Sequence, residues 1–201
     1  MLLIPAELMS NACYEISVVV PFGDDEESIG NAVHRLAAHL RPLGLAFEIL
    51  AVDEDSGDNS HAVLALMRAQ VPELRVIHAP GKGRGADAGS SRAQGRMLWI
   101  VDPDTALGNL APATLAIQQV GAGEVDAVVV HDHYIIANRV RALPALVGLR
   151  GVRDARRRRL ARRMAARGLR LDVHAPVTPP RARWFGMLPA RRPAPTTSRL
   201  G

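Results

Sequence analysis

Two aspartates separated by one proline, Asp102 and Asp104, follow directly after a short apolar run that begins at Met97. The run lies between Gly95 and Pro103 and is typical of a buried parallel strand. Open α/β sheets bind their ligands at the carboxyl ends of such strands. Two carboxylates on one turn repel each other unless a cation or several hydrogen-bond donors lie between them, so the pair suggests a hard divalent metal with oxygen ligands. A metal that leaves coordination sites free for phosphate oxygens would make this a nucleotide-diphosphate site. A solvated turn is the alternative.

Acidic residues also follow two earlier strands. Ile16–Pro21 is a β-branched run ended by proline, with Asp25 shortly after it, and Phe47–Asp53 runs directly into Glu54. Parallel strands end at the same edge of a sheet, so we expect these groups to meet the pair at Asp102. Carboxylates at this edge could accept hydrogen bonds from a base or ribose while the metal takes phosphate oxygens.

A glycine-rich loop, Gly81–Gly85, carries two cations, Lys82 and Arg84, before the fourth predicted strand. Cations at this point would offset charge on a leaving diphosphate. The loop is not a P-loop, because Gly-Lys-Ser/Thr does not follow at the required spacing, and its alternating glycines do not match the dinucleotide fingerprint. Its composition alone is also typical of an ordinary connection.

The order of apolar runs predicts the fold that would position these residues. The first hundred residues read as strands and helices in strict alternation. This alternation predicts an α/β fold with a mostly parallel, doubly wound central sheet flanked by helices. The later predicted elements are a helix through Leu115–Val120, a strand at Val125–Val130, a helix near Asp154–Ala166 and a final strand at Leu169–Ala175.

Composition narrows the class of protein. The 201 residues suffice for one domain, and with only 3% aromatic residues the core must be aliphatic. The apolar runs are far too short to span a bilayer, and no basic-then-apolar signal segment opens the chain, so we expect a cytoplasmic protein. Cys13 is the only cysteine, which excludes an intrachain disulfide and a cysteine-cluster metal site.

The net charge of +5 conceals a strong asymmetry along the chain. Residues 1–134 hold 18 acidic and 8 basic residues, whereas residues 135–201 hold 2 acidic and 17 basic residues. A basic segment of this kind predicts an anionic partner: phospholipid head groups, a nucleic acid or a phosphate-bearing substrate. The segment Arg153–Arg170 lacks the interleaved aromatics of single-strand readers, which favours an anionic bilayer surface over nucleic acid. A solvated arginine-rich helix is the alternative.

Four motifs, in their order and spacing, resemble the family 2 GT-A glycosyltransferases, and most of all the polyprenyl (dolichol)-phosphate sugar transferases. The resemblance covers about residues 15–134 and extends weakly to Leu169–Val177 with Arg181, Arg183 and Gly186. It implies a Rossmann-like GT-A fold, with a lead-in at 1–14, a nucleotide-sugar-binding core at 15–134 and an Arg-rich acceptor- or membrane-facing segment at 135–201. The motifs are Ser17–Pro21 with Glu26–Ile29, Val52–Asp58, Gly81–Ala86 with Gly89, and Val101–Asp104 with Gly95.

The resemblance also implies roles in donor binding. Pro21 and Asp25 would line the nucleotide pocket. Asp53 would hold the base or ribose, with Glu54 at the family's second aspartate position. These four residues would form the nucleoside side of the site.

The remaining implied roles concern the diphosphate. Lys82 and Arg84 would lie near it, and Asp102 and Asp104 would hold Mg²⁺ or Mn²⁺ on its oxygens. The implied reaction is a single displacement with inversion at the anomeric carbon, from a nucleotide-sugar donor to a polyprenyl phosphate or another cell-envelope acceptor. A lipid phosphate needs no general base, whereas a hydroxyl does. Asp132, in the stretch His-Asp-His, is the candidate base, and a polar strand end is the alternative reading.

The sequence departs from the family pattern at several positions. Gly23 replaces an aromatic residue, Ala106 replaces a glutamine and His133 replaces an arginine. The stretch between Ile136 and Arg150 is shorter than the family's acceptor-binding region, and no hydrophobic tail follows. Two alternatives to an active transferase therefore stay open: a degenerate noncatalytic nucleotide-sugar-binding protein, and a module that binds anionic lipid or nucleic acid.

Overall fold

One seven-stranded sheet with helices on both faces makes up the computed structural model, which describes residues 14–130, 134–148 and 153–174. The strands are β1 (Ile16–Phe22), β2 (Phe47–Asp53), β3 (Leu74–His78), β4 (Met97–Val101), β5 (Ala127–Val130), β6 (Tyr134–Asn138) and β7 (Leu171–His174). The helices are α1 (Ile29–Leu40), α2 (Ser60–Met67), α3 (Gly85–Arg92), α4 (Pro103–Ala106), α5 (Ala111–Gly121), α6 (Arg139–Leu146) and α7 (Arg153–Ala165), with a 3₁₀ turn at Arg41–Leu43.

The strand order is β3-β2-β1-β4-β6-β5-β7. β6 runs antiparallel to both of its neighbours, and every other neighbouring pair is parallel. The prediction of a mostly parallel sheet is therefore confirmed. β6 and α6 were not predicted, whereas the predicted helix near Asp154–Ala166 and the final strand at Leu169–Ala175 correspond to α7 and β7.

The central strands are buried on both faces, as continuous apolar runs predict. Every residue of β2 is buried, and so is every residue of β1 except half-buried Pro21. Helix α3 packs against these two strands at Gly89, where an added Cβ would lie 2.3 Å from Val19 Cγ1 and 3.0 Å from Val52 Cγ2. This close approach fixes the start of α3, and with it the glycine loop, over the ends of β1 and β2.

A buried polar network ties β1, β2 and the connection into β4 together. The Glu48 side chain is fully buried; its Oε1 accepts hydrogen bonds from Ser17 Oγ at 2.7 Å and from the Gln94 amide at 2.8 Å. Ser17 Oγ in turn accepts from the Gly95 amide at 2.7 Å. Arg75 Nη1 pairs with Glu48 Oε2 at 2.5 Å. The network fixes the start of β4 relative to β1 and β2, and with it the position of Asp102, which follows β4.

Some sequence-based predictions fall outside the described residues. These are the lead-in through Cys13, the candidate base Asp132 with its flanking histidines, and the closing segment with Arg181, Arg183 and Gly186. The division expected after residue 134 falls within β6, and β7 joins the same sheet from the Arg-rich part of the chain, so the division stays a prediction. Within the described ranges, no helix is both long and apolar enough to cross a membrane.

Candidate active site

A cleft of about 280 Å³ lies at the carboxyl edge of the parallel strands. β1 ends at Phe22, β2 at Asp53 and β4 at Val101, so the loops that follow all meet at this edge. The segments after these three strands and the glycine loop all contribute to its walls. The lining residues are Pro21, Phe22, Gly23, Asp25, Glu54, Lys82, Gly83, Ala86, Asp102, Pro103 and Asp104.

Asp102 and Asp104 occupy the turn between β4 and α4. Asp102 is still extended, with φ −83° and ψ 155°, and its carbonyl accepts from the Ala106 amide at 3.1 Å. Pro103 opens α4, where its fixed φ suits the first helical position and its missing N–H costs no hydrogen bond. This turn leaves Asp102 half-buried and Asp104 exposed in the same cleft.

Oxygen ligands of this kind fit a hard divalent cation. In the residues that the structure describes, no group of three or more His, Cys, Asp or Glu side chains is placed to hold a metal ion. Mg²⁺ is commonly bound through one or two carboxylates together with substrate phosphates. The two aspartates therefore fit a metal whose remaining ligands come from a diphosphate and water.

Asp25 brings a third carboxylate into the cleft from the β1 side. Its Oδ2 accepts a hydrogen bond from the Gly23 amide at 2.9 Å. Burial raises the pKa of Asp25 above its usual range, and the charges of Asp104 and Asp58 raise it further. The cleft is therefore a place where negative charge is unfavourable until a cation arrives.

The glycine loop forms another part of the cleft wall. Lys82 and Gly83 line the cleft, whereas Arg84 lies at the amino end of α3 and is not among the described lining residues. Lys82 is exposed and is the only lysine of the chain. The cation that this loop brings to the cleft is thus Lys82.

Asp53 ends β2 next to the cleft but does not line it. Its Oδ1 accepts from Ser56 N at 2.9 Å and Ser56 Oγ at 2.6 Å, while Oδ2 lies 2.8 Å from His61 Nε2 and 3.0 Å from His78 Nδ1. Burial alone would raise the pKa of Asp53, but these hydrogen bonds outweigh it and hold the pKa below its usual range. Any contact of Asp53 with a base or ribose would share oxygens already bound within the protein.

Sequence reasoning missed the two histidines beside Asp53. One signal was available: β2 and β3 are parallel neighbours whose register pairs Asp53 with His78, and both are terminal strand residues. His61 carries no comparable signal, because it reaches Asp53 from the first turn of α2. The histidine side chains are about half exposed, at 52% for His61 and 57% for His78.

A larger cavity, of about 410 Å³, lies at the opposite edge of the sheet. Its walls include Met97 at the start of β4, Asn138 at the end of antiparallel β6 and the apolar residues Leu43 and Ile117. Glu15 is the one acidic residue among its lining residues. Arg96 supplies a cation to this cavity, but no pair of carboxylates lines it, so we place the candidate chemistry at the cleft.

Known proteins share both the sequence pattern and the fold. Undecaprenyl-phosphate 4-deoxy-4-formamido-L-arabinose transferase of Sodalis glossinidius is 30% identical over 95 residues, which cover 45% of this chain and 29% of that protein. Glycosyltransferase GlyG of Streptococcus pneumoniae is 33% identical over 117 residues, covering 57% of this chain and 38% of that protein. The chain thus spans well under half the length of these curated relatives.

Structural similarity extends further along the chain. The mannosyltransferase PcManGT of Pyrobaculum calidifontis, solved in complex with GDP-Man and Mn²⁺, superposes with a TM-score of 0.64 at 17% identity. The match covers 83% of this chain and 56% of that one. It confirms the GT-A fold. The family model described as Glycosyl transferase family 2 matches residues 17–163, and the chain therefore belongs to the family 2 glycosyltransferases.

Proposed function

We propose that this protein transfers a sugar from a nucleoside-diphosphate donor to an acceptor, with Mg²⁺ or Mn²⁺ held by Asp102 and Asp104. The observation that carries the proposal is that both aspartates and Lys82 line the same cleft. The Mn²⁺ and GDP-Man in the structure of the Pyrobaculum mannosyltransferase support the same donor class and metal. When bound, the metal would neutralise charge on the diphosphate as it leaves.

Different residues of the cleft would contact the nucleoside and the diphosphate of the donor. Pro21 and Asp25 border the nucleoside side, while Lys82 faces the diphosphate. An acceptor oxygen forms the new bond to the anomeric carbon from the face opposite the diphosphate, and the bond to the phosphate oxygen breaks. A single displacement of this kind inverts the configuration of the anomeric carbon. The nucleoside diphosphate leaves with the bonding electron pair.

A polyprenyl phosphate is the acceptor that we propose. The Sodalis relative, named as an undecaprenyl-phosphate transferase, supports this class. A phosphate acceptor is ionised at neutral pH, so its oxygen can attack without a general base. Asp132 would act as base only for a hydroxyl acceptor.

A lipid acceptor would require the protein to reach a membrane surface, and α7 offers a cationic face for it. Leu160 and Met164 are buried and anchor α7, while Arg158, Arg159 and Arg162 are exposed. No acidic residue lies between Arg158 and Arg170. We propose that this face rests on anionic lipid head groups, where each arginine contributes on the order of 1 kcal/mol.

Vesicle flotation tests the membrane contact. We expect binding to vesicles rich in phosphatidylglycerol that weakens with salt, and no binding to phosphatidylcholine alone. Replacing Arg158 and Arg162 with glutamate should weaken binding by about tenfold or more. The matched control replaces the exposed Arg68 and Arg92, with the same change in net charge. Tight binding of duplex DNA without vesicle binding would instead favour a nucleic-acid partner.

Protection of Lys82 tests donor binding directly, because this side chain is the only lysine amine of the chain. We expect one nucleoside diphosphate, together with Mn²⁺, to slow acylation of Lys82 by about tenfold at saturation, while the α-amino group in the same sample serves as reference. The same ligand at a hundred times its Kd should stabilise the fold by about 2.7 kcal/mol. If no nucleotide protects Lys82 with Mn²⁺ present, the proposed donor site is wrong. Protection without transfer to any acceptor would favour a noncatalytic binding protein.

A further inference from the structure

The backbone amides of the glycine loop are already bound to carboxylates of the protein. Glu54 Oε2 accepts from the Gly83 amide at 2.7 Å, and Glu54 Oε1 accepts from the Gly85 amide at 2.6 Å. Asp55 Oδ2 accepts from the Gly81 amide at 2.6 Å. Two consecutive acidic residues after β2 thus hold three alternate amides of one loop.

The loop is shaped to receive the Glu54 side chain. Gly81 and Gly83 have φ values of 100° and 78°, which side-chain-bearing residues rarely adopt. At Gly85 the constraint is space: an added Cβ would lie 2.8 Å from Glu54 Oε1 and 2.9 Å from Pro21 Cβ. The glycine spacing therefore matches a carboxylate bound against the loop.

Amides arranged in this way at the start of a helix are a general binding site for phosphate. Here the site is filled by a carboxylate that belongs to the chain, so the amides of Gly83 and Gly85 are engaged before any ligand arrives. A phosphate that approached them would meet the negative charge of Glu54. The positive charge available to a diphosphate from the lining part of this loop is the ammonium group of Lys82, which lies between the two anchor points of Asp55 and Glu54.

We propose that Glu54 is a positioning residue: it binds the amides of Gly83 and Gly85 to fix the loop, so that Lys82 rather than the loop backbone meets the donor diphosphate. The inference rests on the proposed function for the identity of the donor. The family resemblance places Glu54 on the nucleoside side of the site. In this proposal its carboxylate acts on the donor through the loop and does not contact the nucleotide. It also accounts for the position of an acidic side chain in the wall of a cleft that would bind a polyanion.

Glu54→Gln tests the proposal, because the carboxamide keeps the shape but offers one acceptor oxygen and one N–H group. Charge-assisted hydrogen bonds contribute roughly 1.5 to 3 kcal/mol, so we expect amide exchange at Gly83 and Gly85 to accelerate by about tenfold or more. The KM for the donor should rise and kcat/KM should fall by about tenfold, because Lys82 would meet the diphosphate in the ground state and more strongly as negative charge grows on it in the transition state. Lys82 should also lose its protection by Mn²⁺ and nucleotide at concentrations that protect the parent protein.

The matched control is Glu73→Gln, which removes an exposed ion pair with Arg41 and leaves the loop contacts intact. Amides of β1 and β4 in the same exchange experiment report whether the variant keeps its overall fold. Unchanged exchange at Gly83 and Gly85 would overturn the proposal, and so would faster exchange with an unchanged KM. Amide exchange is measured without ligand and tests the role of Glu54 by itself. Absence of sugar transfer by the parent protein would refute the proposed function and would leave the exchange result unaffected.

Discussion

Asp104→Ala is expected to lower sugar transfer by at least about a thousandfold and to abolish Mn²⁺-dependent nucleotide binding. A metal on the donor phosphates contributes several kcal/mol of charge stabilisation in the transition state, and each 1.4 kcal/mol corresponds to about tenfold in rate. Asp104 lies in the first turn of α4 in the same cleft as Asp102. Without Asp104 the chain would offer the cation one carboxylate instead of two, which weakens its hold on the metal and on the diphosphate bound to it.

The change should not harm the fold. Asp104 is exposed, and its charge raises the pKa of Asp25, so its removal relieves repulsion in the ligand-free protein. Isothermal titration with Mn²⁺ and the nucleotide, beside initial rates of transfer, measures both losses. Asp172→Ala on β7 is the control, because its side chain lies outside the cleft lining. Transfer that survives in Asp104→Ala and still needs metal would show that the cation is held elsewhere.

Glu48→Ala is expected to cost about 3 to 5 kcal/mol of unfolding free energy, because it breaks a buried, charged network. The fully buried carboxylate binds Ser17, the Gln94 amide and Arg75, whose side chain is 42% exposed. Its removal leaves the buried Ser17 hydroxyl and the Gln94 amide without this acceptor. For a chain of this size the melting temperature should fall by about 10 °C. Urea unfolding followed by circular dichroism measures the change.

Glu73→Ala is the control for this experiment, because it also removes a carboxylate paired with an arginine but at a less buried position. Glu73 also pairs with an arginine, Arg41 at 3.1 Å, but both side chains are partly exposed, at 26% and 45%. Exposed pairs of this kind contribute about 1 kcal/mol at most. If Glu48→Ala costs no more than Glu73→Ala, the buried network does not hold the sheet as described.

Most of the sheet could be predicted because its central strands are continuous apolar runs. Phe47–Asp53 was predicted to the residue, since a buried parallel strand leaves a continuous apolar run in the sequence. β6 could not be found in this way, because residues 134–138 pass directly into α6 without a turn signal. Pro144 lies inside α6 and concealed that helix. The antiparallel direction of β6 comes from the chain path, which periodicity does not record.

The carboxylates of the candidate site were predictable because strand ends of a parallel sheet converge. That rule places Asp25 and Asp102 at one edge without any side-chain detail. The rule does not predict the hydrogen-bond partners of each carboxylate, and these partners differ between Asp53 and Glu54. Asp53 is engaged by Ser56 and two histidines, and Glu54 by loop amides. Hydrogen bonds between a side chain and a distant backbone follow from packing and have no signature in residue spacing.

The burial of Asp25, together with the charges of Asp104 and Asp58, has a consequence for the selection of more stable variants of this protein. A carboxyl group with a higher pKa in the folded chain than in the unfolded chain lowers stability once it ionises, so the loss appears as the pH rises above the ordinary aspartate range. Heat selection of the ligand-free protein would therefore enrich variants with a neutral residue in place of Asp25. Heat selection in the presence of cation and nucleotide would instead retain Asp25. The presence of ligand during selection would therefore decide whether the selected variants keep this side chain of the cleft.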